Sequence, residues 1–107
     1  MTDSTSNDAL TIELADGVII VHGDVDMAGG PVLEAAILQC EHHSPVVIDL
    51  ADVFFIDSSG LRSLLDASRR ARARGTEVVL RSVGAEVTRL LEITGTERQF
   101  VVESRRD

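Results

Sequence analysis

Val46-Val-Ile-Asp-Leu-Ala-Asp-Val-Phe-Phe-Ile-Asp57-Ser58-Ser59-Gly60-Leu61 carries an apolar strand straight into two adjacent hydroxyls. Asp57, Ser58 and Ser59 are helix-capping residue types, Gly60 keeps the turn narrow, and Leu61 begins an apolar spacing continued by Leu64 and Leu65. The stretch therefore reads as buried strand, polar turn and helix start. A phosphate placed on a hydroxyl there would be felt locally, since it brings about −1.5 to −2 charges at neutral pH.

Upstream, Thr11-Ile-Glu-Leu14 alternates and Val18-Ile-Ile-Val21 is continuously apolar, with Ala15-Asp16-Gly17 as a short turn between them. This predicts a hairpin. Pro31 suits a first helical position, and Val32, Leu33, Ala36, Ile37 and Cys40 share one helical face until His42-His43-Ser44-Pro45 ends it. Downstream, Leu61, Leu64, Leu65, Ser68 and Ala71 form the inner face of a second helix that Gly75 stops. Glu77–Leu80 reads as a strand, Ala85–Thr94 as a third amphipathic helix, Gln99–Val102 as a final short strand, and Glu103–Asp107 as a frayed end. Strands alternating with helices after an opening hairpin predict an α/β fold: a mixed, mainly parallel sheet built by right-handed crossovers, with helices packed against it.

With 107 residues and neither repeat nor long linker, the chain makes one domain with an aliphatic core. Its net charge of −8 opposes phosphate backbones, so a protein partner is expected and nucleic acid is not. Cys40 is the only cysteine, on an apolar helix face, which predicts a buried structural thiol and a reducing cytoplasm. The polar, acidic N-terminus lacks the pattern of a signal peptide, and no segment approaches membrane-spanning length. A soluble cytoplasmic protein without membrane contact is expected.

Three landmarks lie along the chain: Asp57-Ser58-Ser59-Gly60, the turn Gly23-Asp24-Val25-Asp26 after a buried strand, and Gly95 after Val87–Thr94. They resemble the signature of anti-sigma factor antagonists, which are single STAS domains. The resemblance runs from near Leu10 to near Phe100 and departs at Thr96, where the family usually has an aliphatic residue. It implies a STAS domain over residues 9–103, with a disordered N-terminal tail at 1–8 and a C-terminal tail at 104–107. The resemblance further implies that Ser58, first of the serine pair, is phosphorylated by a partner kinase. Unphosphorylated, such a protein binds an anti-sigma factor serine kinase and releases a sigma factor for transcription; phosphorylated, it lets go, and a phosphoserine phosphatase resets it. A monomer without cofactor is expected, the ATP being supplied and used by the kinase. Asp24, Asp26, Asp57, Ser59 and Gly60 are the expected partner-binding residues. The alternative is a constitutive STAS interaction or scaffold module in which Ser58 is never phosphorylated.

Each of these residues also has a plainer reading. Ser58, Ser59 and Asp57 could serve only as caps, Ser59 as the cap or near-cap; Gly60 could serve only the turn; Asp24 and Asp26 could be solvated turn residues. An enzyme is not expected, because the flanks of Ser58 do not form a nucleophile elbow and no histidine follows it in the chain. His22, His42 and His43 lack metal-ligand spacing and read as surface or strand-end residues. Arg69, Arg70, Arg72 and Arg74 suit the negative end of the second helix.

Overall fold

The computed structural model describes residues 3–6, 10–26 and 29–104. The sheet has six strands in sequential order: β1 (Asp3–Ser6), β2 (Leu10–Ala15), β3 (Val18–Gly23), β4 (Val46–Asp52), β5 (Val78–Val83) and β6 (Val101–Ser104). The first two pairings are antiparallel and the other three parallel. Asp16 and Gly17 make the β2–β3 turn with φ of 54° and 78°. Two successive left-handed residues match the twist of the strands they join, and Asp-Gly tolerates them best.

Helices α1 (Gly29–Cys40), α2 (Ser58–Ala73) and α3 (Ala85–Thr94) make the three crossovers between parallel strands. Every crossover steps to the next strand in the same direction, so a constant right hand places all three helices on one face. The strands alternate accordingly. Ile19, Val21, Ile48, Leu50 and Leu80 are buried with Leu33 and Ile37 of α1, Leu64 and Ala71 of α2, and Val87 and Leu91 of α3 in one continuous core. Val18, Ile20, Val47 and Asp49 look out from the other face and are half-buried.

Several boundaries differ from the sequence reading. Asp3–Ser6, expected in a disordered tail, pairs with the outer edge of β2, in register from Asp3 opposite Leu14 to Ser6 opposite Thr11. Strand pairing uses main-chain groups, so a polar segment with no hydrophobic alternation can still fill an open edge. Helix α1 begins at Gly29, ahead of Pro31, which still lies in the first turn where a missing N–H leaves no bond unmade. The final strand starts at Val101, because Glu97–Gln99 forms a 3₁₀ turn that delivers Phe100 into the core. The buried Ser68 hydroxyl of α2 donates to the Gln99 carbonyl and holds that turn in place. Ser104, assigned to the C-terminal tail, is the last residue of β6.

The ends of α2 and α3 follow the expected glycine chemistry. Gly75 and Gly95 have φ of 79° and 71°, and the following amides of Thr76 and Thr96 reach back to Ala71 and Leu91, both at 2.9 Å. At Thr96 a hydroxyl lies 2.9 Å from the Thr94 hydroxyl, a polar contact where an aliphatic residue would pack. The arginines at the end of α2 do more than answer a dipole. Arg70 Nε donates to Glu41 at 2.8 Å and Arg74 donates to the Glu41 carbonyl at 2.7 Å, tying α2 to the end of α1.

Candidate functional site

The two sequence motifs meet through one valine. The N–H of Val25 donates to the Phe55 carbonyl and the Val25 carbonyl accepts from the Asp57 N–H, each at 2.9 Å, closing a parallel bridge between Val25 and Ile56. The Asp24-Val25-Asp26 turn is thereby fixed alongside the loop that ends in Ser58, and both loops lie beyond the carboxyl ends of β3 and β4. That is the end of a parallel sheet where ligands and partners generally bind.

Asp57 is the N-cap of α2. It has extended backbone, its Oδ1 accepts from the Gly60 N–H at 3.0 Å, and its carbonyl accepts from the Leu61 N–H at 2.9 Å. Of the capping residues offered by the sequence, Asp57 is the cap and Ser59, the second helical residue, lies near it. The Asp57 carboxylate, three residues before Gly60, is the side chain in reach of that amide. Ser58 is the first helical residue and is exposed, and its hydroxyl makes no hydrogen bond among the described residues. Ser59 is half-buried, with its carbonyl 3.3 Å from the Ser63 hydroxyl, which also approaches the Gly30 carbonyl at 3.5 Å. Those contacts seat the start of α1 against α2.

Gly60 is the clearest correction. Read from sequence as either a partner-binding residue or a turn glycine, it is buried: a Cβ there would lie 2.5 Å from Val25 Cγ1 and 2.9 Å from Ile56 Cγ2. Both neighbours belong to the bridge just described, and Val25 is fully buried. Gly60 lets the helix start press against that bridge.

Of the two turn carboxylates, Asp26 heads α1. Its Oδ1 accepts from the Gly29 N–H at 3.0 Å and its carbonyl from the Gly30 N–H at 2.7 Å. Asp24 presents its side chain to solvent. Ser58, Ser59, Gly30, Pro31, Glu34 and Arg62 line a groove of about 510 Å³ between the first turns of α1 and α2. On the other flank of the same loop, Phe54 and Phe55 are 56 % and 52 % exposed, two of the three phenylalanines in the chain.

The sequence reading missed three features. Arg62 lies four residues beyond Ser58 on α2, a spacing that could have been read directly. The clash at Gly60 depends on Val25, which no local pattern connects to it. His22 of β3 lies 2.6 Å from Asp52 and 3.4 Å from Glu13, joining three strands. The Asp52 hydrogen bond holds the His22 imidazole above its ordinary value against the opposing effect of burial, and Glu13 adds to the rise. Cys40 is buried, and burial pushes its thiol up, away from the reactive thiolate. Among the described residues no cluster of three or more His, Cys, Asp or Glu side chains is arranged to hold a metal ion. No helix among them is long and apolar enough to cross a membrane.

Residues 9–103 match the sequence family described as Mlab, STAS domain. An anti-sigma-B factor antagonist of Listeria monocytogenes is 34 % identical over 79 residues, covering 72 % of this chain and 69 % of that protein. Among solved structures, an anti-sigma factor antagonist from Mycobacterium paratuberculosis superposes with a TM-score of 0.68 at 31 % identity, covering 96 % of this chain and 84 % of the other. The anti-sigma factor antagonist SpoIIAA in its unphosphorylated form gives 0.66 at 18 % identity over 90 % and 89 % of the two chains, a likeness of fold. The chain belongs to the STAS domain family of anti-sigma factor antagonists.

Proposed function

We propose that this antagonist is a partner-switching protein that binds an anti-sigma factor serine kinase while Ser58 is unmodified, freeing a sigma factor, and loses that partner when Ser58 is phosphorylated. The observation that carries the reading is Ser58 itself: an exposed hydroxyl without a hydrogen-bond partner among the described residues, on the first residue of a capped helix. In the transfer step the Ser58 oxygen attacks the terminal phosphorus of ATP held by the kinase. The new O–P bond forms as the bond to ADP breaks, and the hydroxyl proton leaves to a base of the kinase. The antagonist contributes the acceptor and its presentation; it needs no cofactor and no catalytic residue of its own.

The switch follows from where the added charge falls. A phosphoserine brings about −1.5 to −2 charges, at a helix N-terminus whose free amides favour an anion. The antagonist's own fold tolerates it. The complex does not, because the same charge must be desolvated against the partner beside Asp57 in a chain of net charge −8. Phe54 and Phe55, exposed on the same loop, supply the apolar anchor that a protein interface favours. Asp24 stands within the same surface, while Asp57, Asp26, Ser59 and Gly60 hold its shape. The setting is a cytoplasmic monomer with a phosphoserine phosphatase completing the cycle.

Incubation with the cognate kinase and ATP should add one phosphate by intact mass, mapped by fragmentation to Ser58 and absent in Ser58→Ala. In a pull-down, Ser58→Ala should retain the kinase and Ser58→Asp should lose it. Phosphate on Ser59 alone, or none at all, would overturn the reading. Equal retention by both variants would make the protein a constitutive STAS module.

A further inference from the structure

We infer that Arg62 is a phosphate-positioning residue: its guanidinium changes from a free surface cation to the partner of the phosphate on Ser58. This rests on Ser58 being the acceptor and adds how the phosphorylated state is held. The two residues are one helical turn apart on α2, so their Cβ atoms lie on one face at about 5–6 Å. Helical side chains lean toward the N-terminus, which points Arg62 back over the turn that carries Ser58. Both line the groove between α1 and α2, together with Glu34 and Ser63.

What separates Arg62 from the other arginines of α2 is that its side chain has no partner among the described residues. Arg69 pairs with Asp66, Arg70 with Glu34 and Glu41, Arg74 with Glu41, and Arg72 donates to Gln99 and to the Arg98 carbonyl. Arg62 makes no hydrogen bond or ion pair among the described residues and is exposed. In an acidic protein rich in carboxylates, such a position has no account in the unmodified fold. A dianion on Ser58 supplies one, because a planar guanidinium can reach two phosphate oxygens at once.

The charged groups facing the site decide its strength. Asp57, engaged with the Gly60 amide, and Glu34, held 3.8 Å from Arg70, both repel the phosphate. Arg62 is the cation that offsets them. Modification therefore makes two changes together: it adds negative charge at Ser58 and engages the cation that the unmodified protein leaves exposed beside it.

The test uses the full chain with phosphoserine installed at position 58 during translation, so it does not depend on any kinase. Phosphorus NMR should give a second phosphate pKa about half a unit lower in the wild type than in Arg62→Gln. Arg62→Lys, which keeps the charge without the fork, should recover part of the difference. The Arg62 Nε–H resonance should move on modification. A pKa equal in wild type and Arg62→Gln, with an unmoved Arg62 signal, would overturn the inference. Failure of kinases to modify Ser58 would count against the acceptor reading and leave this measurement intact.

Discussion

Val25 Cγ1 stands 2.5 Å from the point where a Cβ on Gly60 would lie, so the first turn of α2 is packed onto the Asp24–Asp26 turn as closely as a glycine permits. Gly60→Ala is expected to destabilise the fold by about 1–3 kcal/mol, the usual cost of overpacking. The gain in helix propensity, at most about 1 kcal/mol, opposes this and loses, because Val25 is buried with a β-branched side chain that cannot swing aside. Urea melts followed by circular dichroism give the value, since the chain has no Trp or Tyr. In a double-mutant cycle with Val25→Ala, the pair should lose less than the sum of the singles; strict additivity would refute the contact.

Asp57→Ala should cost about 1 kcal/mol through loss of the cap on the Gly60 amide, and Asp57→Asn markedly less. Denaturation midpoints of the two variants test the ranking. Equal losses would show that charge, and not the capping oxygen, is what α2 requires there.

Ser58→Asp and the phosphorylated protein should unfold within about 1 kcal/mol of the unmodified chain, because negative charge at a helix N-terminus is neutral to favourable. A much larger loss on modification would mean that the switch works by unfolding the helix start.

His22 should titrate above 6.5, its ordinary value, in the wild type and fall toward it in Asp52→Asn. The sign for stability follows. With the folded value raised, the stabilisation from protonated His22 is complete below the unfolded value and is lost as pH rises through the folded one. The effect should be small, since the His22 side chain is 39 % exposed and well screened. Proton NMR of the imidazole in both proteins measures the shift directly; identical titration would remove Asp52 as its cause.

Local chemistry was readable where it acts within one element. Ala85–Thr94 forms the helix expected of it because Gly84 and Gly95 bound an amphipathic run, and Asp16-Gly17 makes the turn that its residue types favour. What could not be read depends on distant partners. Phe100 moves the last strand because the core claims its ring, and Gln99 is held by Ser68 of α2. Asp3–Ser6 joins the sheet through an open edge that its own residues do not announce. At the site, Ser58 and Asp57 were visible from motif and capping preference. The inward role of Gly60 was hidden, since only the assembled Val25–Ile56 bridge makes that position crowded.

The two hydrogen bonds of Val25 run between main-chain atoms, from its own amide and carbonyl to those of Phe55 and Asp57. Nothing in them depends on the side chains of Asp24, Phe54 or Phe55, which remain on the surface. The geometry of the loop is thus independent of the chemistry of those side chains. Exchanging those three side chains leaves in place the main-chain bonds that position Ser58 at the start of α2.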